Sequence, residues 1–404
     1  MGAPRTAGRP GPRTIRQRTS PNTTASTVPC SRRSSRTGPE TGAASGTGPC
    51  AGQGGHMTFI SRNLLPGILL AVMASAPLAG PARAEAVTLR YSQWLPASYP
   101  LHAEIIAPWF EEIARVTGGR VTIVPTPKVV GTVAGQYDVL ADGLADVALV
   151  VPGYTPGRFP LSEGLELPFL GDDPRVSMPV SYRTYETYLE PKGIFREVVP
   201  LAVFTGNPAH IALRSGEVSD LSDLAGKKLR SPQQAASASV DLLGAVPVSK
   251  PMSEVYELAS SGAIDGGIIP PDTLLSFKLA GIMKEYVLVP GGVVNTVNML
   301  AFSHEAWDRI SAEDQAAIRE VSGLPLVTKM GEVYARSLSD ALAAMPDEGV
   351  RVQTPPESLV AALQERLKPI RANWFDVARK AGLEDPEAMV RFLETEYAAG
   401  KAAR

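Results

Sequence analysis

The stretch Ser219-Asp220-Leu221-Ser222-Asp223-Leu224-Ala225-Gly226-Lys227-Lys228-Leu229-Arg230-Ser231-Pro232 holds the residue best placed for chemistry. Its pattern predicts a short helical turn that stops at Gly226 and feeds a strand, which delivers Arg230 to its carboxyl edge. In open α/β sheets, small ligands bind beyond that edge. A guanidinium there offers a rigid fork that meets a carboxylate with two parallel hydrogen bonds. The same spacing is equally that of a surface arginine or a structural ion pair. Patterns for catalysis are missing. Beyond position 56 the chain has three histidines, His102, His210 and His304, in no metal-binding or triad-like spacing, and it has no G-x-S-x-G, H-E-x-x-H or P-loop. The acidic pairs Glu111-Glu112 and Asp172-Asp173 are neighbours in sequence and read most simply as solvated charge. Neither a catalytic set nor a metal or cofactor site is expected.

The elements that must position Arg230 alternate between strand and helix. Val87–Ser92 has period two, and residues 101–117 have a period near 3.6 that stops at Gly118-Gly119. Strands at 121–124 and 146–151 flank a helix at 133–141, so three βα repeats with short connections point to a mostly parallel open sheet. A second series has strands near 199–204, 209–214, 227–231, 246–249 and 264–269, with helices near 233–244 and 252–260. A long helical stretch over 312–345 starts at Ser311 as N-cap and should kink or break at Gly323-Leu324-Pro325. Further helices are expected over 356–381 and 386–398. The fold class is therefore α/β, with two lobes joined by crossing strands and a long helix. Trp94 follows the first strand and Tyr154 the third, where aromatics pack against ligands; each is equally a loop aromatic packed on its own lobe. Trp109 and Trp374, on helices, read as packing residues.

Composition supports this only after the chain is divided. Over all 404 residues the formal charge is −2, with 44% hydrophobic residues and two cysteines. Residues 1–56 contain no Leu, Phe, Tyr or Trp and carry eight Arg against one Glu, so disorder is expected there. Such a segment reads as a basic arm or as upstream sequence before the true start. Met57 opens a short region with one positive charge, followed by an apolar run from Leu64 to Ala76 and the small-x-small site Ala82-Arg83-Ala84. That order is a secretory signal peptide over 57–84, too short for an ordinary membrane span. Without the ten arginines and one glutamate of these leading segments, residues 85–404 carry −11 and no cysteine. A disulfide framework and a general nucleic-acid binder are both excluded, and export to a bacterial periplasm is expected.

Leu224-x-Gly226-x-Lys228-Leu229-Arg230, Gly244-Ala245-x-Pro247-Val248, Ser253-Glu254-Val255-Tyr256 and Ile264-Asp265-Gly266 follow one another in a specific order. With Asp142-Gly143-x-x-Asp146-Val147-Ala148, Glu166-Leu167-Pro168-Phe169 and Ala306-Trp307-Asp308-x-Ile310, the set resembles the solute-binding subunits of tripartite ATP-independent periplasmic (TRAP) transporters, the DctP-type family. The similarity runs from about Val87 to Tyr397. It implies a two-lobed, class II-like periplasmic binding protein, not an enzyme, with mostly parallel sheets and a lobe-spanning helix. Lobe I would comprise 85–211 plus 298–344, and lobe II 212–297 plus 345–404. The resemblance further implies a small organic acid as ligand and the membrane subunits of a TRAP permease as partner. The family's carboxylate-clamping arginine falls on Arg230, and a second arginine of some members falls on Arg214. Acid-sugar binders carry an Asn just before the Pro that follows the Asp-Gly strand; here that residue is Ile269. An alkyl wall there favours a monocarboxylate with an apolar or aromatic body, unless Ile269 points into the core. A sensory protein that reports to a receptor would use the same cleft.

Overall fold

A computed structural model describes residues 85–404; the disordered leader expected over 1–56 and the signal peptide expected over 57–84 lie outside the described residues. Among the described residues, eleven strands form two sheets. β1 (Val87–Ser92), β2 (Val121–Pro125), β3 (Val147–Val150), β4 (Val199–Thr205) and β10 (Val297–Phe302) make the first, in the order β2-β1-β3-β10-β4. β5 (His210–Leu213), β6 (Lys228–Ser231), β7 (Val246–Ser249), β8 (Gly266–Ile269), β9 (Glu285–Val287) and β11 (Arg351–Gln353) make the second, in the order β11-β9-β5-β8-β6-β7. In each sheet all strands but one run the same way, as helical crossovers between them require, so that two of the four pairings in the first sheet and three of the five in the second are parallel. Each holds one reversed strand, β10 against β3 and β4, and β5 against β8 and β9.

The reversed strands are the ones that cross between sheets. β4 leads into β5 through Gly206–Ala209, and β9 returns to β10 through 288–296. Ala209 and Val294 form an antiparallel bridge, and the Gly206 amide donates to the Thr296 carbonyl at 2.8 Å, so the two crossings run as one ribbon. Glu166 explains the signature that contains it. Its side chain is buried and Oε1 accepts from the Val297 amide at 2.8 Å, at the point where the ribbon enters β10. Burial holds this carboxyl well above the usual carboxylate range.

β3 and β8 are buried along their whole length, which is why Val-Ala-Leu-Val and Gly-Gly-Ile-Ile read as continuous runs rather than alternations. One core is shared by both sheets, joining Val150 and Val203 to Ile211 and Ile268, and the helix Glu357–Lys380 adds Leu359, Leu363 and Trp374 to it. The opposite faces have separate cores. The break expected at Gly323-Leu324-Pro325 is real. One helix spans Ala312–Glu320 and the next Gly323–Ala344, with Pro325 in its first turn where a missing N–H is harmless. The second helix buries Val327 and Met330 in the core of the first sheet, and Leu342 near its far end packs on the core of the second. Three strands, β9, β10 and β11, and the helix Pro174–Thr184 had no counterpart in the sequence pattern. β9 and β11, of three residues each, are too short to show a period, β10 is buried at five of its six positions and so shows no alternation, and Pro179 sits inside the helix.

Candidate ligand-binding site

A cavity of about 70 Å³ lies at the carboxyl ends of the parallel strands. Trp94 and Leu95 follow β1, Val151 and Tyr154 follow β3, and Arg230 lies one residue before the end of β6. Pro270 and Thr273 follow β8, Gly206, Asn207 and Thr296 come from the crossing ribbon, and Asn298 from the start of β10. Tyr99 and Leu101 enter where the first helix begins. Its opening turn, Leu101–Ile106, is π-helical, a distortion often found at functional sites. Tyr334 of the long helix and Phe277 complete much of the apolar wall.

Arg230 is the one charged side chain lining this cavity, and only 2% of its surface is exposed. Nε donates to the Lys250 carbonyl at 2.9 Å and Nη1 to the Ile268 carbonyl at 3.3 Å, which fixes the plane of the fork. Among the described residues no carboxylate pairs with it. Burial pushes its pKa down, and the Tyr154 hydroxyl beside it works the other way. An arginine nevertheless stays protonated in a protein. A buried, unpaired cation is costly, so the site is electrostatically incomplete until an anion enters.

Tyr154 also reaches across the cleft, where its hydroxyl accepts from the Met252 amide at 3.1 Å. Trp94 is fixed by its indole N–H, which donates to the Leu149 carbonyl at 2.9 Å and leaves the ring on the cavity wall. Arg230, Trp94 and Tyr154 are thus brought together. Arg214 and Ile269 are not. Arg214 lies at the end of β5 beside Gly262, away from the cavity. Ile269 is fully buried in the separate core of the second sheet, and its carbonyl accepts from the Tyr286 hydroxyl at 2.8 Å. The alternation of β8 decides this: Ile268 faces the core shared by both sheets and Ile269 the separate core of the second, while Pro270, one position on, lines the cavity.

Residues 91–376 match the DctP family model, whose description is bacterial extracellular solute-binding protein, family 7. The chain belongs to this family. A protein named outer membrane transporter protein TsaT, from Comamonas testosteroni, is 26% identical over 79% of this chain and 94% of its own length. The C4-dicarboxylate-binding periplasmic protein DctP of Rhodobacter capsulatus is 25% identical over 72% of this chain and 87% of its own. Among solved structures, a TRAP periplasmic solute binding protein from Bordetella bronchiseptica, with bound (R)- and (S)-mandelate, is 32% identical. It matches 78% of this chain and 99% of its own with a TM-score of 0.75. A marine metagenome TRAP solute binding protein specific for aromatic acid ligands, in complex with metahydroxyphenylacetate, is 25% identical over 78% and 99% of the two chains, with a TM-score of 0.73. The family member described here is accordingly a TRAP-type solute-binding protein with the α/β fold of that class.

The sequence did not single out a second polar group in the wall. Tyr99 donates to Oδ2 of Asp272 at 3.0 Å and lies 3.1 Å from the Thr273 hydroxyl. Asp272 is itself buried, and burial raises its pKa while the neighbouring Asn207 amide and Tyr99 hydroxyl pull it back. An Asn before Pro208, between two apolar strands, reads as a turn; its position on the ribbon was the missing information.

Proposed function

We propose that this protein captures a small monocarboxylate with an apolar or aromatic body in the periplasm and hands it to the membrane subunits of a TRAP permease. The observation that carries the reading is Arg230: a buried guanidinium without a carboxylate partner, on a cavity whose other lining side chains are uncharged. Both solved relatives cited above bind aromatic carboxylates, which is the ligand class this wall suits. Arg230 serves as the clamp, and Trp94 and Tyr154 hold the body of the acid. Residues 85–211 plus 298–344 act as one lobe and 212–297 plus 345–404 as the other, closing about the ribbon. Ligand contacts to both sides at once stabilise the closed form, since only a difference in affinity between states can shift their balance.

A thermal-shift screen of small organic acids on the purified protein tests this. A specific acid at a hundredfold excess over Kd adds about 2.7 kcal/mol to the stability. Aromatic monocarboxylates are expected to give the largest shifts, and the shift should vanish in Arg230→Met. Acids that stabilise the variant as much as the wild type would remove Arg230 from the site.

A further inference from the structure

Asn207 presents a polar group that the carboxylate clamp does not use. It is 1% exposed and lines the cavity; its Nδ2 faces the Asp272 carboxyl, whose pKa it lowers, while its Oδ1 has no hydrogen-bond partner among the described residues. Behind it, the Asp272 carboxyl is fixed through Oδ2 by the Tyr99 hydroxyl and faces the Asn207 amide. Buried amide atoms left without partners cost about 1–3 kcal/mol each. Such a cost points to a partner that arrives with the ligand. Asn207 belongs to the crossing ribbon and Arg230 to the end of β6, so the two groups approach the cavity from different elements.

The nature of the missing partner follows from the free carbonyl end, which needs a donor. A carboxylate only accepts hydrogen bonds, so it leaves Oδ1 bare. A hydroxyl also donates, and offers Oδ1 a partner. Resting on the reading of Arg230 as the carboxylate clamp, we infer that Asn207 recognises a hydroxyl on the ligand, so that the preferred substrate is a hydroxy-substituted aromatic or apolar acid. Discrimination follows from the burial. An acid without the hydroxyl leaves the Asn207 Oδ1 unpaired in a dry cavity, and sites built to bond a hydroxyl reject analogues that lack it far more strongly than alkyl walls reject a missing methylene.

Calorimetry with two ligand pairs provides the test: mandelate against phenylacetate, and 3-hydroxybenzoate against benzoate. The members of each pair share a carboxylate and a ring and differ by one hydroxyl. The wild type is expected to bind the hydroxylated member of at least one pair at least about tenfold more tightly. In Asn207→Leu that ratio should fall to about threefold or less, mainly through weaker binding of the hydroxylated acid. Equal affinities within both pairs overturn the inference. So does an Asn207→Leu variant that loses the same factor for both members, because that result makes Asn207 a second carboxylate ligand. The wild-type comparison needs no variant, so a variant that fails to fold leaves the test standing. Failure of the clamp is separable: if Arg230→Met binds all four acids as the wild type does, the carboxylate reading falls, whatever the hydroxyl preference.

Discussion

Replacing Arg230 by Met should separate affinity from stability, because the same side chain opposes the empty fold and supports the loaded one. The loaded protein loses two charge-assisted hydrogen bonds to the carboxylate, each contributing about 1.5–3 kcal/mol, or about 3–6 kcal/mol together. At about 1.4 kcal/mol per tenfold, Kd rises by about 10²–10⁴. The empty protein loses the Nε bond to Lys250 and the longer Nη1 bond to Ile268, while it is relieved of a buried cation that no carboxylate offsets. Those two bonds and the several kcal/mol of ion desolvation are of similar size and opposite sign. The empty variant should therefore unfold within about 2 kcal/mol of wild type, either way. Calorimetry with the acid that stabilises wild type most, and urea unfolding without ligand, give the two readings. Affinity within threefold of wild type would refute the clamp. A loss of 5 kcal/mol or so in the empty protein would refute the claim that Arg230 lacks a countercharge, since that is the cost of orphaning a buried pair.

Three further outcomes follow. His210 is fully buried against Tyr286, with ring centroids 5.7 Å apart, and burial lowers its pKa to about 4. The native state therefore binds fewer protons than the unfolded chain between pH 6.5 and 4, so stability is complete above that window and falls by up to about 3 kcal/mol through it; urea unfolding of His210→Gln should be flatter over this range, and an equally steep profile would clear His210. Tyr99→Phe leaves Oδ2 of Asp272 unpaired in a buried site, so unfolding free energy should drop by about 1–3 kcal/mol, and no drop would mean the bond is idle. Gly266→Ala would put a Cβ 2.2 Å from the Ala212 carbonyl oxygen of the neighbouring strand. Backbone cannot step aside as a side chain does, so a loss of about 1–3 kcal/mol or more is expected in thermal unfolding, and a wild-type Tm would contradict the packing.

Periodicity is a local signal, and the residues it exposed are those whose role is set locally. Arg230 was legible because Gly226 stops a turn, Lys228–Ser231 is a strand, and the carboxyl end of a parallel strand has one functional direction. The places of Trp94 and Tyr154 on the cavity wall follow from the same rule, since each comes after a strand of the first sheet. Ile269 was left between cavity wall and core because family spacing gave its position but not its face; a strand buried on both sides carries no alternation from which the face can be read. Asn207 and Asp272 stayed hidden for a different reason. Their meaning depends on the ribbon that brings residues 206–209 beside 294–296, a pairing of segments about ninety positions apart. No pattern within one segment records it.

The contacts across the cleft indicate how closure is balanced. Tyr99, from the segment after β1, bonds Asp272 in the helix that follows β8, and Tyr154, after β3, accepts from Met252, after β7. Typical hydrogen bonds of this kind contribute about 0.5–1.5 kcal/mol net, so together they offer only a few kcal/mol towards a closed arrangement. Closure also dries Arg230, which has no carboxylate partner among the described residues, and the Asn207 Oδ1, which has no hydrogen-bond partner there. Terms of like size thus oppose each other, and the empty protein has no strong preference to stay shut. An acid that supplies a carboxylate to Arg230 removes the larger penalty, and one that adds a hydroxyl removes the smaller. Selectivity then enters through the closing equilibrium itself: a ligand lacking either group still fits the walls, but leaves a buried polar atom that holds the cleft open.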